Sequence, residues 1–165
     1  MKLLTAFFAL AFAANLTAEE EPTGFRGQKF GERPVGLIEI PTTNKDGTSV
    51  FIRKDEKLNI GPAKLKSISY LAYKGNLYGI LIEFEGSTNY EHITTTLTAA
   101  YGNPVHHTDE TYEKSAGWRM QNGVHIYISM NTISDSGKAI YVFQPIKAQQ
   151  EQDEKERARK ASDDL

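Results

Sequence analysis

AKLKSISYLAYKGNLYGILIEFEGSTNYEHITTTLTAAYGNP, residues Ala63–Pro104, is the stretch that decides the fold of this chain. It predicts a strand over Ala63–Tyr73, a tight turn, and a second strand over Leu77–Glu85. The first strand changes parity between Leu65 and Ile68, which indicates a one-residue bulge. This stretch therefore supplies a hairpin around which the other strands are expected to pair.

A helix follows directly in the same stretch. Gly86–Asn89 is a cluster of capping residues whose side chains can satisfy the free amides of a first turn. Apolar residues then recur at spacings of three and four, the pattern of one helix stripe: Tyr90, Ile93, Leu97, Ala100 and Tyr101. Gly102, as a left-handed cap, and Pro104 beyond it predict where the helix ends. The hairpin and the helix together predict a sheet with one covering helix.

Hairpins are predicted before and after this helix. The Asp-Gly pair within Asn44–Gly47 and the Asn122-Gly123 pair are both typical of tight hairpin turns. The further predicted strands are Leu37–Ile40, Thr48–Arg53, Val105–Glu113 at an edge, Trp118–Gln121, Val124–Asn131 and Ala139–Ile146. We therefore expect an α+β domain with a single antiparallel sheet of about six to seven strands and one helix packed on one face.

The N-terminus predicts an exported protein. Lys2 precedes the apolar run Leu3–Ala14, and Ala18 comes just before three glutamates, which is the layout of a signal peptide over residues 1–18. The run of about 12 residues is shorter than the roughly 20 that span a bilayer, so no membrane anchor is expected after cleavage. The chain has no cysteine, which removes both a lipoprotein attachment site and disulfides. We expect a bacterial protein that is periplasmic or secreted.

The remainder divides into a domain and a tail. Residues 19–146 have the length of a single domain with a sufficient core. Residues 147–165 carry acid-to-base pairs four residues apart at Glu151–Lys155, Asp153–Arg157 and Glu156–Lys160. Since this charged tail has almost no apolar stripe, we expect it to be either a solvated helix or disordered.

Charge and residue types disfavour several functions. The net charge of −2, which becomes −3 when Lys2 leaves with the signal peptide, gives no basic surface, so no nucleic-acid partner is expected. His106 and His107 are neighbours in a predicted strand and point to opposite faces, which disfavours a metal site. No cofactor is indicated, and there is neither a cysteine nucleophile nor a Gly-x-Ser-x-Gly elbow. We therefore expect no enzyme, with a hydrolase that has an unrecognised site as an alternative.

Alternation along the strands predicts a binding surface. One sheet face is expected to lie in the core, with Val50, Ile52, Tyr78, Ile80, Ile82, Phe84, Val124, Ile126, Ile128, Ile140 and Val142. The opposite face is then expected to carry Phe51, Leu77, Leu81, Tyr127, Tyr141 and Phe143. Burying each is worth roughly 1.5–3 kcal/mol, so something should cover them. The candidate covers are the Phe25–Phe30 segment, the charged tail, curling of the sheet, a protein partner or a second copy of the chain.

Four short motifs resemble those of a set of small exported bacterial proteins of unassigned function. They are Phe25-Arg26-Gly27 with Phe30-Gly31, then Ile60-Gly61 with Ala63, then Tyr70-Leu71-Ala72-Tyr73-Lys74, and Tyr101-Gly102-Asn103-Pro104. The likeness covers about residues 25–147 and rests on turn and packing residues. It implies a shared fold and export, and it brings no site residues with it.

These observations favour a non-enzymatic binding or envelope accessory protein that uses its aromatic sheet face. The partner is then another protein or a second copy in a homodimer. The alternative is a periplasmic carrier of a small ligand, with a pocket between helix and sheet near Tyr90, Tyr101 and Trp118.

Overall fold

A computed structural model describes residues 20–41 and 46–163 of the chain. Within these residues the chain forms twelve strands and two helices. The strands are β1 Gly24–Phe25, β2 Gln28–Lys29, β3 Ile38–Ile40, β4 Thr48–Ile52, β5 Asn59–Ile60, β6 Ala63–Lys64, β7 Ser67–Tyr73, β8 Asn76–Glu85, β9 His106–Asp109, β10 Glu113–Arg119, β11 Val124–Asn131 and β12 Ser136–Phe143. The helices are α1 Ser87–Tyr101 and α2 Gln144–Asp163. The predicted α+β class is confirmed.

Eight strands of the described part form one antiparallel sheet, in the order β3-β4-β7-β8-β12-β11-β10-β9. The first four and the last four are two successive meanders, and α1 carries the chain from β8 in the centre to β9 at the far edge. The two meanders meet where β8 pairs with β12. The sheet exceeds the predicted count of about six to seven strands, since the short edge strands β3 and β9 both join it. β1 pairs with β2, and β5 with β6, outside this sheet.

Helix α1 packs on one face of the sheet, which we call the inner face. Ile93 of α1 is fully buried in one cluster with Ile80 and Ile82 of β8. The N-terminal segment covers the rest of the inner face: the Phe25 ring lies 5.5 Å from the Tyr141 ring, centroid to centroid. The Phe25–Phe30 segment was a candidate cover for the face opposite the helix, but it packs on the same face as α1.

The N-terminal segment also extends the sheet beside β8, at the point where β12 ends. The amide of Gly31 donates to the carbonyl of Leu77 at 2.8 Å, and the amide of Leu77 donates to the carbonyl of Glu32 at 2.8 Å. These two bonds satisfy backbone groups of β8 that β12 does not reach.

Helix α2 contains most of the charged tail, for which a helix was one of the two expected states, and it lies on the opposite, outer face of the sheet. The Gln150 side-chain amide donates to the hydroxyl of Thr48 at 3.0 Å, and the Tyr73 hydroxyl donates to Asp153 at 2.6 Å. The Arg157 guanidinium donates to the carbonyl of Asp46 at 2.9 Å. The charged tail is thus a helix that docks through polar contacts. Such docking needs no apolar stripe, so the lack of a stripe in the sequence did not exclude it.

The last strand ends earlier than predicted. Ala139–Ile146 was the expected strand, but β12 stops at Phe143 and α2 begins at Gln144. Pro145 explains this boundary, because proline fits the first turn of a helix and cannot donate to a ladder.

Two predicted details of the opening stretch are wrong. Ala63–Tyr73 is not one bulged strand, because Ala63–Lys64 pairs with β5 and a separate strand β7 begins at Ser67. The irregularity in the hairpin falls on β8 instead, where Tyr78 has no partner between the pairs that flank it.

The start of α1 also differs from the prediction. No side chain caps its first turn; Asn89 instead accepts from the amide of Lys64 at 2.9 Å and donates to the carbonyl of Glu85 at 2.7 Å. Gly86 precedes the helix at a φ of 88°, which glycine adopts without strain. The helix ends after Tyr101, as predicted. The turn predicted at Asn44–Gly47 lies partly outside the described residues.

Substitution of Gly137 tests the packing of side chains on the inner face of the sheet. A Cβ placed at Gly137 would lie 2.2 Å from the ring of Phe84, the buried residue directly opposite on β8. We expect Gly137→Ala to lower the free energy of unfolding by about 1–3 kcal/mol in urea melts, because Phe84 must move.

Gly117→Ala is the matched control for this substitution. Its added Cβ would meet nothing closer than 3.6 Å, so its free energy of unfolding should stay unchanged or rise by about 0.5–1 kcal/mol. Equal stability of the two variants would contradict the observed register.

Candidate functional site

The six side chains predicted to share one surface are divided between the two faces. Leu77, at 0% exposure, and Tyr141, at 5%, lie in the core on the inner face. Phe51 and Phe143 are half-buried against the same core, and Phe30 stacks on Phe143 with ring centroids 6.0 Å apart. Only the other two, Leu81 and Tyr127, belong to the outer face, where each is directly opposite Ile140 of β12. The prediction of one shared aromatic surface is therefore wrong.

The error is that, on several strands, the wrong one of the two alternating sets of residues was assigned to the core. Ile140 and Val142, predicted to be inside, are outside, because Tyr141 lies opposite Ile80 and Ile140 opposite Leu81. The outer face also receives Val50 and Ile52 of β4 from the predicted core set. The last four residues of β12, Ile140–Phe143, are apolar at every position, so alternation within them cannot say which set faces the core; only Lys138, two residues before Ile140, marks the outer set.

The outer face carries a different apolar surface, which we call the apolar band. It consists of Ile38, Ile40, Val50, Ile52, Leu71, Leu81, Ile140, Val142 and Tyr127. Ile38 is 51% exposed and Tyr127 is 41% exposed, while most of the members between them are half-buried. The band therefore crosses six neighbouring strands, from β3 to β11, without a charged side chain between its rows.

Two different borders limit the apolar band. On one side lies α2, over Thr48 and Tyr73. On the other side lies a polar row in which Ser67 donates to Glu83 at 2.7 Å and Lys138 lies opposite Glu83. An apolar strip with a polar rim is the usual anatomy of a protein interface.

A cavity of about 580 Å³ opens at the β11 end of the band. Gly117 is at its floor, between His106 on β9 and Tyr127 on β11. Arg119 and His125 form the next cross-strand pair and line the cavity as well. Because Gly117 has no side chain, the four larger residues surround an open space.

The predicted ligand pocket between helix and sheet is occupied by the protein itself. Tyr90 and Trp118 are buried in the core, and the indole of Trp118 donates to the carbonyl of Gly102 at 2.8 Å. The cavity beside Tyr90 measures about 220 Å³, which is below the roughly 300 Å³ at which ligand pockets begin.

A partly buried ion-pair network holds the N-terminal segment in place. Glu56 accepts from the hydroxyl of Tyr70 and from Arg26, each at 2.5 Å, and Arg53 lies 3.5 Å away. Arg26 also donates to the carbonyls of Lys57 and Asn59. Arg53 and Glu56 are only three residues apart, but Arg26 and Tyr70 lie 30 and 14 residues from Glu56, so no local pattern predicts the whole network.

These contacts change the acidities of both partners. Burial opposes ionisation of Glu56, but hydrogen bonds from Tyr70 and Arg26 and the charges of Arg26 and Arg53 outweigh it and hold its pKa below the ordinary value. Burial, followed by the hydrogen bond to Glu56 and its charge, raises the pKa of Tyr70 to about 12. The carboxylate is therefore a structural anion.

The histidines were predicted to point to opposite faces, and the register agrees. His106 lies opposite Gly117 on the outer face, whereas His107 lies opposite the buried Ala116. Within residues 20–41 and 46–163, no group of three or more acidic or histidine side chains is placed to hold a metal. No helix of the described chain is both long enough and apolar enough to cross a membrane.

Comparisons with protein-family models, with curated proteins and with solved structures give no match to this chain. The arguments about function therefore rest on the geometry above. Sequence reasoning missed both the apolar band and the cavity. The one signal of the cavity in the sequence was a glycine within a strand, Gly117, two residues before Arg119 and with histidines in the segments on either side.

The Glu56 network predicts a pH-dependent stability. A lowered pKa in the folded state means that ionised Glu56 stabilises the fold above its ordinary pKa, and that this stability is lost as pH falls through the folded value. We expect Glu56→Gln to lower the free energy of unfolding by about 2–3 kcal/mol at pH 7, from urea melts. The deficit should shrink below about pH 4.

Glu32→Gln is the control, because its carboxylate is exposed and only 3.7 Å from Lys29. This variant should match the wild type within about 0.5 kcal/mol at both pH values. A Glu56→Gln deficit that is the same at pH 7 and pH 3 would show that the charge of Glu56 is not the cause.

Proposed function

We propose that this protein is an exported bacterial binding protein without enzymatic activity, and that it holds a protein partner on its apolar band. The observation that carries the proposal is the band itself, an apolar strip across six strands with exposed ends at Ile38 and Tyr127. Exposed apolar strips of this extent mark interaction surfaces.

The dimensions of the band favour a helix as the docking segment. Six strands at about 4.8 Å spacing span about 24 Å, which matches a helix of about 16 residues. Such a helix would lie across the strands beside α2, at the separation of about 8–10 Å that packed helices adopt. Its apolar stripe would cover Leu71, Leu81 and Ile140.

A second copy of the chain fits the band less well. Helix α2 stands on the same face, so two outer faces brought together would be held about 10 Å apart by their helices. The α2 sequence is mostly charged or polar, and therefore does not offer the apolar stripe that the band requires. We therefore commit to a different protein as the partner.

Export and binding are consistent with the rest of the chain. The apolar run after Lys2 and the small residue at Ala18 support export through a cleaved signal peptide. The well-shielded carboxylate of Glu56 is engaged in holding the fold, which supports a structural role for it and not a catalytic one.

Substitution within the band tests the proposal. We expect Ile52→Lys to leave the fold intact, because Ile52 is partly exposed, and to abolish partner binding. The matched control is Ile133→Lys, the same exchange at a 75% exposed isoleucine in the turn before β12, away from the band. Circular dichroism and thermal melts check that both variants fold.

Binding is measured by photo-crosslinking in the cells that export the protein, with a benzophenone amino acid at position 71 or, as the control, at position 133. A single crosslinked protein from position 71 that disappears in Ile52→Lys and persists in Ile133→Lys supports the proposal. A crosslink to the chain itself, with a dimer mass in sedimentation, would replace the partner with a second copy. The proposal would be overturned if the crosslink persisted in both variants, or if no crosslink formed at all.

A further inference from the structure

We propose that the cavity over Gly117 is a binding site for a small organic anion, with the charged group of the ligand at Arg119 and its apolar part against Tyr127. This site lies on the outer face, at the end of the apolar band, and is distinct from the helix-side pocket expected from the sequence. It goes beyond the proposed function, which needs no small ligand.

The absence of a side chain at Gly117 creates the cavity. Gly117 is paired with His106 on one side and Tyr127 on the other, and a Cβ at this position would lie 3.6 Å from the Tyr127 ring and 3.9 Å from the Cβ of His106. The backbone of Gly117 is not in the left-handed region, so the position does not need glycine for its conformation. Space above the strand is what glycine provides here.

The polar groups that line the cavity favour an anion. Arg119 and His125 are directly opposite each other on β10 and β11, and His106 approaches from β9. In the described part of the chain, no carboxylate lies within ion-pair distance of Arg119. A guanidinium offers a planar fork of donors that matches a carboxylate or a phosphate.

The ring of His106 is positioned by its neighbours. Its Nε2 lies 3.2 Å from the hydroxyl oxygen of Thr108 and 3.5 Å from that of Ser115, which is buried. The imidazole therefore has a defined orientation at the edge of the cavity, which a free surface histidine lacks.

Apolar surface in the same cavity indicates the second half of the ligand. Tyr127 on β11, which is 41% exposed, and Val105 just before β9, which is 67% exposed, both line the cavity. A volume of about 580 Å³ lies within the range of small-molecule sites. An inorganic ion would leave these apolar walls without contact, so the ligand class is an organic carboxylate or phosphate.

The test is a titration of the whole mature protein with benzoate, phenyl phosphate and the neutral analogue benzamide, followed by amide chemical shifts. We expect saturable shifts at residues 105–106, 117–119 and 125–127 with an anion, at roughly the millimolar Kd of a ligand this small, and none with benzamide. A response to benzoate alone or to phenyl phosphate alone supports the proposal and identifies the anionic group.

Variants separate this site from general surface binding. Arg119→Gln removes the cation, and Gly117→Val fills the floor of the cavity; each should weaken binding by about tenfold or more. The control for Arg119→Gln is Lys114→Gln, which removes a cation on the inner face of the same strand. The control for Gly117→Val is Ser129→Val, which introduces a valine on the outer face but outside the cavity. Both controls should bind as the wild type does, and thermal melts confirm that all four variants fold.

Three results would overturn the proposal. They are the absence of saturable shifts with either anion, an equal response to benzamide, and binding that survives both Arg119→Gln and Gly117→Val. The band variant Ile52→Lys should still bind the anion, since Ile52 lies on β4, which three strands separate from β11. Failure of the partner proposal and failure of this one are therefore distinguishable.

Discussion

The antiparallel pairing of β8 with β12 is the interaction on which the rest of the structure depends, because it joins the two meanders into one sheet. Tyr141 lies opposite Ile80 and Gly137 opposite Phe84, and the ring of Phe84 occupies the space above Gly137. A shift of one residue would bring a side chain against that ring and would turn the apolar sets of β12 to the wrong faces. This register therefore decides what lies in the core and what is presented to solvent.

The two faces of this sheet are closed to different extents. The inner face is sealed by α1 and by the N-terminal segment, which Glu56 fastens through Arg26, Arg53 and Tyr70. The outer face receives only α2, whose contacts are hydrogen bonds and ion pairs of charged and amide side chains. The part of the outer face that α2 does not cover therefore has apolar side chains and a cavity at its surface. That asymmetry is the physical basis for the proposal that the outer face binds a partner.

The sequence predicted the elements far better than their environment. The β8 strand, the end of α1 after Tyr101 and the hairpin around Asn122-Gly123 follow from alternation, helical spacing and turn residues, which are local properties. The charged tail was one of several candidate covers, but its contacts could not be predicted, because Asp153 and Gln150 bind partners on β7 and β4 that lie 80 and 102 positions away. The cavity likewise depends on three strands that bring His106, Gly117 and Tyr127 side by side.

The sequence by itself determined the order of strands and helices, the positions of the hairpin turns and the spacing of the apolar sets along each strand. Only the tertiary structure decided which of those sets is buried. The reason is that Ile140-Tyr141-Val142-Phe143 is apolar at every position, so alternation within these four residues does not show which set is buried. Which set is buried depends on the ladder with β8 and on the aromatic rings of Phe25 and Phe30 that cover Tyr141 and Phe143. The surface available to a partner was therefore fixed by contacts between segments that are distant in the chain.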